Sequence, residues 1–102
     1  MLGSLTVENF APHVGSTFTA KLEGTDHIEL QLVEARPVGP ATQPLPAGAG
    51  RAPFSLIFRG PAHPVLPQRI YALEHASLGR LEIFIVPVSA DTEGVRYEAV
   101  FA

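Results

Sequence analysis

Four histidines, His13, His27, His63 and His75, are the residues best suited to hold a metal, with an Asp or Glu as a further ligand. No two of them stand at the short separations of common zinc motifs, and the chain has no cysteine to supply a thiolate. The sequence therefore points to no metal ion. Glu74 and His75 are the one adjacent acid and imidazole. In the extended segment to which they belong, neighbouring side chains leave opposite faces, so the two cannot act together as an acid–base pair. "HVGSTF" and "HASLGR" place Ser16 and Ser77 near a histidine. Neither lies on the strand–turn–helix that exposes a nucleophilic serine. "GAG" at Gly48 to Gly50 lacks the Lys-Ser/Thr, strand and helix of a phosphate loop. No catalytic, cofactor-binding or metal-binding residue is assigned on these grounds, and no cofactor is expected.

The elements around these residues are strands. Ser4 can cap a helical turn over Leu5 to Phe10, with Val7 and Phe10 on one face and Pro12 and Gly15 ending it. From Thr17 the apolar period becomes two, with Phe18, Ala20 and Leu22 on one face. "EGTD", Glu23 to Asp26, turns the chain into a second strand that faces Ile28, Leu30 and Leu32 inward. Residues 36–52, with four prolines and three glycines, break every period and form a long connection expected to be mobile or ordered only by contact. Phe54, Leu56 and Phe58 share one face of the next strand, up to Gly60-Pro61. "RIYALEH" and "RLEIFIVPV" then flank the turn "ASLG", with Gly79 in the left-handed position and His75 placed to tie the turn down.

Phe84, Val86 and Val88 alternate with Leu81, Ile83 and Ile85, so this fifth strand is expected to be central and covered on both faces. "VRYEAVFA" supplies the sixth strand. The pattern predicts an all-β fold, a small antiparallel six-stranded barrel or sandwich with a short N-terminal helical turn, in a single domain over residues 1–102. The aromatic residues Tyr71, Tyr97, Phe54, Phe58, Phe84 and Phe101 fall on apolar alternations and are assigned to the core rather than to a ligand platform. Ile57 and Val100 are the apolar residues expected on outer faces, where a partner could cover them.

Composition narrows the function classes. Of the 102 residues, 46% are hydrophobic and only 17% charged, and the net charge is −3. With seven scattered basic residues there is no positive field for a phosphate backbone, so nucleic acid is not an expected partner. The N-terminus lacks the features of a cleaved signal, the longest apolar run is too short to cross a bilayer, and cysteine is absent. A cytoplasmic protein with no membrane partner is expected.

The succession "FSLIFRGP", "LPQRIYALEHASLG", "EIFIVPV", "RYEAVF" resembles a family of small uncharacterised bacterial proteins, a domain of unknown function. Phe54, Pro61, Leu66, Tyr71, His75, Gly79, Phe84, Pro87, Tyr97 and Phe101 are its landmarks, and the pattern runs from Leu5 onward. The resemblance implies an association with phage-tail-like collar proteins and carries no catalytic residue. The expected function is a non-enzymatic interaction or assembly module, forming a homo-oligomer or docking on a larger protein. The alternative is a small-ligand barrel or minor enzyme using His75, Glu74 or Arg59 at the barrel mouth. A closed polar pocket would favour that alternative, and a filled interior would count against it.

Overall fold

The computed structural model describes residues 6–22, 24–37 and 53–101. A short helix α1, Val7–Phe10, runs into a 3-10 turn at Ala11–His13. Six strands follow: β1 Thr17–Lys21, β2 His27–Pro37, β3 Phe54–Gly60, β4 Arg69–His75, β5 Gly79–Asp91 and β6 Gly94–Phe101. They form a closed antiparallel barrel in the order β1-β2-β3-β6-β5-β4. The barrel rather than the sandwich is the architecture adopted, and the three register pairs that close it join Thr19, Ala20 and Lys21 of β1 to Glu74, Leu73 and Ala72 of β4.

The helix begins later than the sequence suggests. Thr6 is its N-cap, and Asn9 Oδ1 accepts hydrogen bonds from both the Thr6 amide (2.7 Å) and the Thr6 hydroxyl (3.2 Å). Ser4, the expected cap, lies outside the described residues. The expected 36–52 connection is also shorter at its start, because Arg36 and Pro37 continue β2 opposite Ser55 and Phe54. A bulge between Leu32 and Glu34 resets the register and lets the strand bend on around the barrel. Positions 38–52 lie outside the described residues, and with them the expectation about the order of that segment.

The alternations converge on one interior. Phe18, Leu30, Phe58, Leu73, Ile83, Ile85, Val95 and Tyr97 are all buried in one cluster, each such side chain contributing about 1.5–3 kcal/mol of transfer free energy. Both ends are filled. At the end where β3 starts and β6 finishes, Phe54 and Phe101 stack at 4.6 Å, and Phe10 of α1 lies 5.8 Å from each ring. At the other end Leu66, from the segment between β3 and β4, enters the core. Two phenols hold that segment: the Leu66 amide donates to Tyr97 Oη at 2.9 Å, and Tyr71 Oη donates to the Pro67 carbonyl at 2.7 Å.

Three expectations about faces need correction. β5 is not covered on both sides: Phe84 is 50% exposed and Val88 51% exposed, since a closed barrel has one inner and one outer face. For the same reason Phe84 leaves the aromatic core to which it was assigned. Ile57, expected on an exposed outer face, is buried on β3, where Glu34 of β2 and Glu98 of β6 flank it in register. Val100 does emerge as expected, at 60% exposure.

Two turns rest on glycine. The β4–β5 loop is three residues, Ala76 to Leu78, with Gly79 pairing across to His75 at a φ of 76°. Gly94 opens β6 at a φ of 152°, and a Cβ there would sit 2.3 Å from the Gly60 carbonyl oxygen. Replacing Gly79 by Val is expected to cost roughly 1–3 kcal/mol, because a β-branched side chain is strained at positive φ. Gly94→Ala should cost more, since it adds a backbone clash to the same strain. Urea unfolding of both variants checks this, and an unchanged midpoint for either would contradict the turn geometry.

Candidate functional site

The polar cluster with the most contacts gathers around His75, at the end of β4. Its ring lies 4.5 Å from Phe18 of β1 and 4.6 Å, edge to face, from His13 of the 3-10 turn. His75 Nδ1 accepts the amides of Ser77 at 3.0 Å and Leu78 at 3.2 Å, so it ties down the β4–β5 turn as the sequence suggested. On the other side of the ring, Nε2 stands 2.9 Å from Ser16 Oγ.

These contacts fix where the protons are. Two amides point at Nδ1, so that nitrogen carries the lone pair and Nε2 carries the hydrogen. Nε2–H then donates to Ser16 Oγ, and the Ser16 hydroxyl donates onward to the His13 carbonyl at 2.5 Å. The relay runs from ring to hydroxyl to backbone. General-base activation of a serine needs the opposite direction, with an imidazole lone pair facing the hydroxyl. Ser16 and His75 therefore make a structural joint and not a nucleophile–base pair. The sequence placed Ser16 beside His13, 59 positions from its actual ring partner, so only the fold reveals the pair.

Burial, and then the neighbouring His13, hold the His75 pKa below its ordinary value of 6.5.

Glu74 leaves the opposite face of β4, as expected, and meets Lys21 of β1 at 3.5 Å with both side chains about half exposed. Such a surface pair contributes little. Arg59 is not a third member of any cluster with these residues. It lies on β3, with β2 and β1 between it and β4, and it binds Glu93 Oε1 at 2.9 Å. His75, Glu74 and Arg59 thus do not converge at one mouth. His27 and His63 border a hollow on the outer surface with Glu29, away from His13 and His75. Among the described residues no three of His, Cys, Asp and Glu are placed to hold a metal. Two further hollows are open grooves, one beside Asp26, Val65 and Ile70 and another over Arg59 and Glu93.

The outer surface carries what the sequence analysis missed. Ile70 of β4, 63% exposed, pairs across the sheet with Phe84 of β5. Val86 pairs with Glu98, so Phe84 and Val100 each lie two residues further toward the same end of the barrel. Ile70 and Phe84 therefore form an exposed apolar cross-strand pair on the outer face of β4 and β5, and Val100 is exposed on β6, where it pairs with Ser55 of β3. The signal was present in the alternation of β5, whose second face is as apolar as its first.

The tautomer assignment is directly testable. Imidazole nitrogen NMR at neutral pH should show His75 protonated at Nε2 alone, with Ser77 and Leu78 amides shifted as hydrogen-bond donors. A proton on Nδ1 would contradict the joint and reopen Ser16 as a nucleophile.

No curated protein and no solved structure matches the chain significantly. No helix among the described residues is long and apolar enough to cross a membrane. A family model does match, over residues 5–101, and it spans every strand of the barrel together with α1. On that match the chain belongs to the family DUF6916, a domain of unknown function.

Proposed function

We propose that the protein is a non-enzymatic interaction or assembly module, which self-associates or docks on a larger protein through the outer face of β4, β5 and β6. The observation that carries this reading is the exposed cross-strand pair Ile70–Phe84, with Val100 also exposed on β6, on the outside of a barrel whose inward side chains form one buried cluster. Contiguous exposed apolar residues are the usual mark of a protein contact. Of the charges near this face, Lys21 is engaged with Glu74 and Arg80 approaches Glu82 at 3.7 Å, while Glu98 lies beside Val86 in register.

The outer face is a better route than a strand edge. In the closed barrel every strand has two neighbours. Residues Val86 to Asp91 pair with β6 alone, but that stretch holds Pro87 and an irregular register between Pro87 and Ser89, two features that discourage further strand pairing. The sequence resemblance extends the proposal to a bacterial setting and to a phage-tail-like protein as the larger partner. The absence of cysteine favours the cytoplasm as its place of action.

Sedimentation velocity at micromolar concentration should show a species heavier than the 10.9 kDa chain, and Phe84→Glu should weaken the association by about tenfold or more, as for a central interface anchor. If the partner is a different protein, co-purification from the native host should recover it with the wild type and lose it with Phe84→Glu. A single 10.9 kDa species, together with unchanged co-purification by the variant, would sink the proposal.

A further inference from the structure

The His75 joint connects two parts of the molecule that the β-ladder does not otherwise connect. On one side is the β4–β5 turn, held through the Ser77 and Leu78 amides. On the other is the end of the N-terminal helical segment, met directly at the His13 ring, 4.6 Å away, and indirectly through Ser16, whose hydroxyl and amide both donate to the His13 carbonyl. That segment carries Phe10, the side chain that covers the Phe54–Phe101 stack at one end of the barrel.

We propose that His75 is an acid-operated latch, whose protonation frees the N-terminal helical segment, residues 6–14, from the end of the barrel. A proton added at Nδ1 turns the acceptor of two turn amides into a donor pointed at them. The ring must then move or the turn must open, and a ring that moves leaves both Ser16 Oγ and the His13 ring it packs against. No charge compensates the new cation. Among the described residues the titratable group facing the ring is His13, which repels it. From β1 the neighbour is Phe18, an uncharged ring. Glu74 leaves the other face of β4 and engages Lys21, and Arg80 at the start of β5 approaches Glu82.

The segment is the part of the chain that would yield. Its helix is a single turn, too short to be stable alone. Past it, the chain is pinned by backbone bonds from the Gly15 amide to Leu32 and from the Leu32 amide to Ser16. Release therefore stops at Gly15 and leaves the barrel intact. What it uncovers is the aromatic face of Phe54 and Phe101. The sign of the pH dependence follows from the lowered pKa: the unfolded or released state takes up a proton more readily than the latched state. The latch is closed above the ordinary imidazole value of 6.5 and is lost as the pH falls below it.

Amide hydrogen exchange and imidazole NMR on the full chain, from about pH 8 to about pH 4, test this, with exchange read as protection over the chemical rate at each pH. Amides of residues 7–14 should lose protection by about tenfold or more as His75 titrates, while β3 and β6 amides stay protected. His75→Asn keeps an acceptor where Nδ1 accepts but lacks the Nε2–H that reaches Ser16 and cannot take up the proton, so protection of its helical segment should not change with pH over this range. His13→Gln removes the facing imidazole and should raise both midpoints together. If that variant leaves the His75 midpoint in place, or if the segment keeps its protection through the His75 titration, the latch is overturned. Simultaneous loss of protection in all strands would overturn it as well.

Discussion

The pairing of β1 with β4 is the constraint on which the rest of the molecule depends. It involves three register pairs, Thr19–Glu74, Ala20–Leu73 and Lys21–Ala72, fewer than join the other neighbouring strands. Without it, the six strands are an open sheet with two edges and no distinction between inside and outside. With it, every alternating side chain acquires a definite side. Leu73 and Ala20 turn inward to a filled core, and Glu74 and Lys21 turn outward to water. Such a short seam relies on what reinforces it. His75 is the residue after Glu74, and its links to Phe18 and Ser16 extend the contact between these two strands beyond the ladder.

Closure also explains the character of the surface. Filling the interior of a small barrel takes about one apolar side chain per inward position, and the two ends are completed by Phe10 and Leu66 from outside the strands. The interior is thereby committed to stability. The recognition proposed for this protein uses the outside, where Ile70, Phe84 and Val100 are exposed. An exposed apolar pair is a cost in water for a monomer, and it is intelligible as the covered surface of a contact.

The polar groups tell a related story about direction. A histidine next to a serine suggests nucleophilic chemistry by residue type alone. Here the turn amides of Ser77 and Leu78 decide the tautomer, and the tautomer decides that the serine receives a hydrogen bond rather than gives its proton to the ring.

Local rules acting within a few residues were legible in the sequence. Period-two alternation identified the six strands, Gly79 marked the left-handed turn position, and the adjacency of Glu74 and His75 excluded an acid–base pair. Those features depend on backbone geometry that each short segment carries with it. What only the tertiary structure decided is everything that depends on which segments meet: barrel rather than sandwich, Phe84 outside rather than inside, Ile57 sheltered between neighbouring strands, and Ser16 against His75. An apolar residue on a two-faced strand looks the same in sequence whichever face is covered. Sheet closure breaks that symmetry, because it is a long-range pairing whose register no single segment encodes.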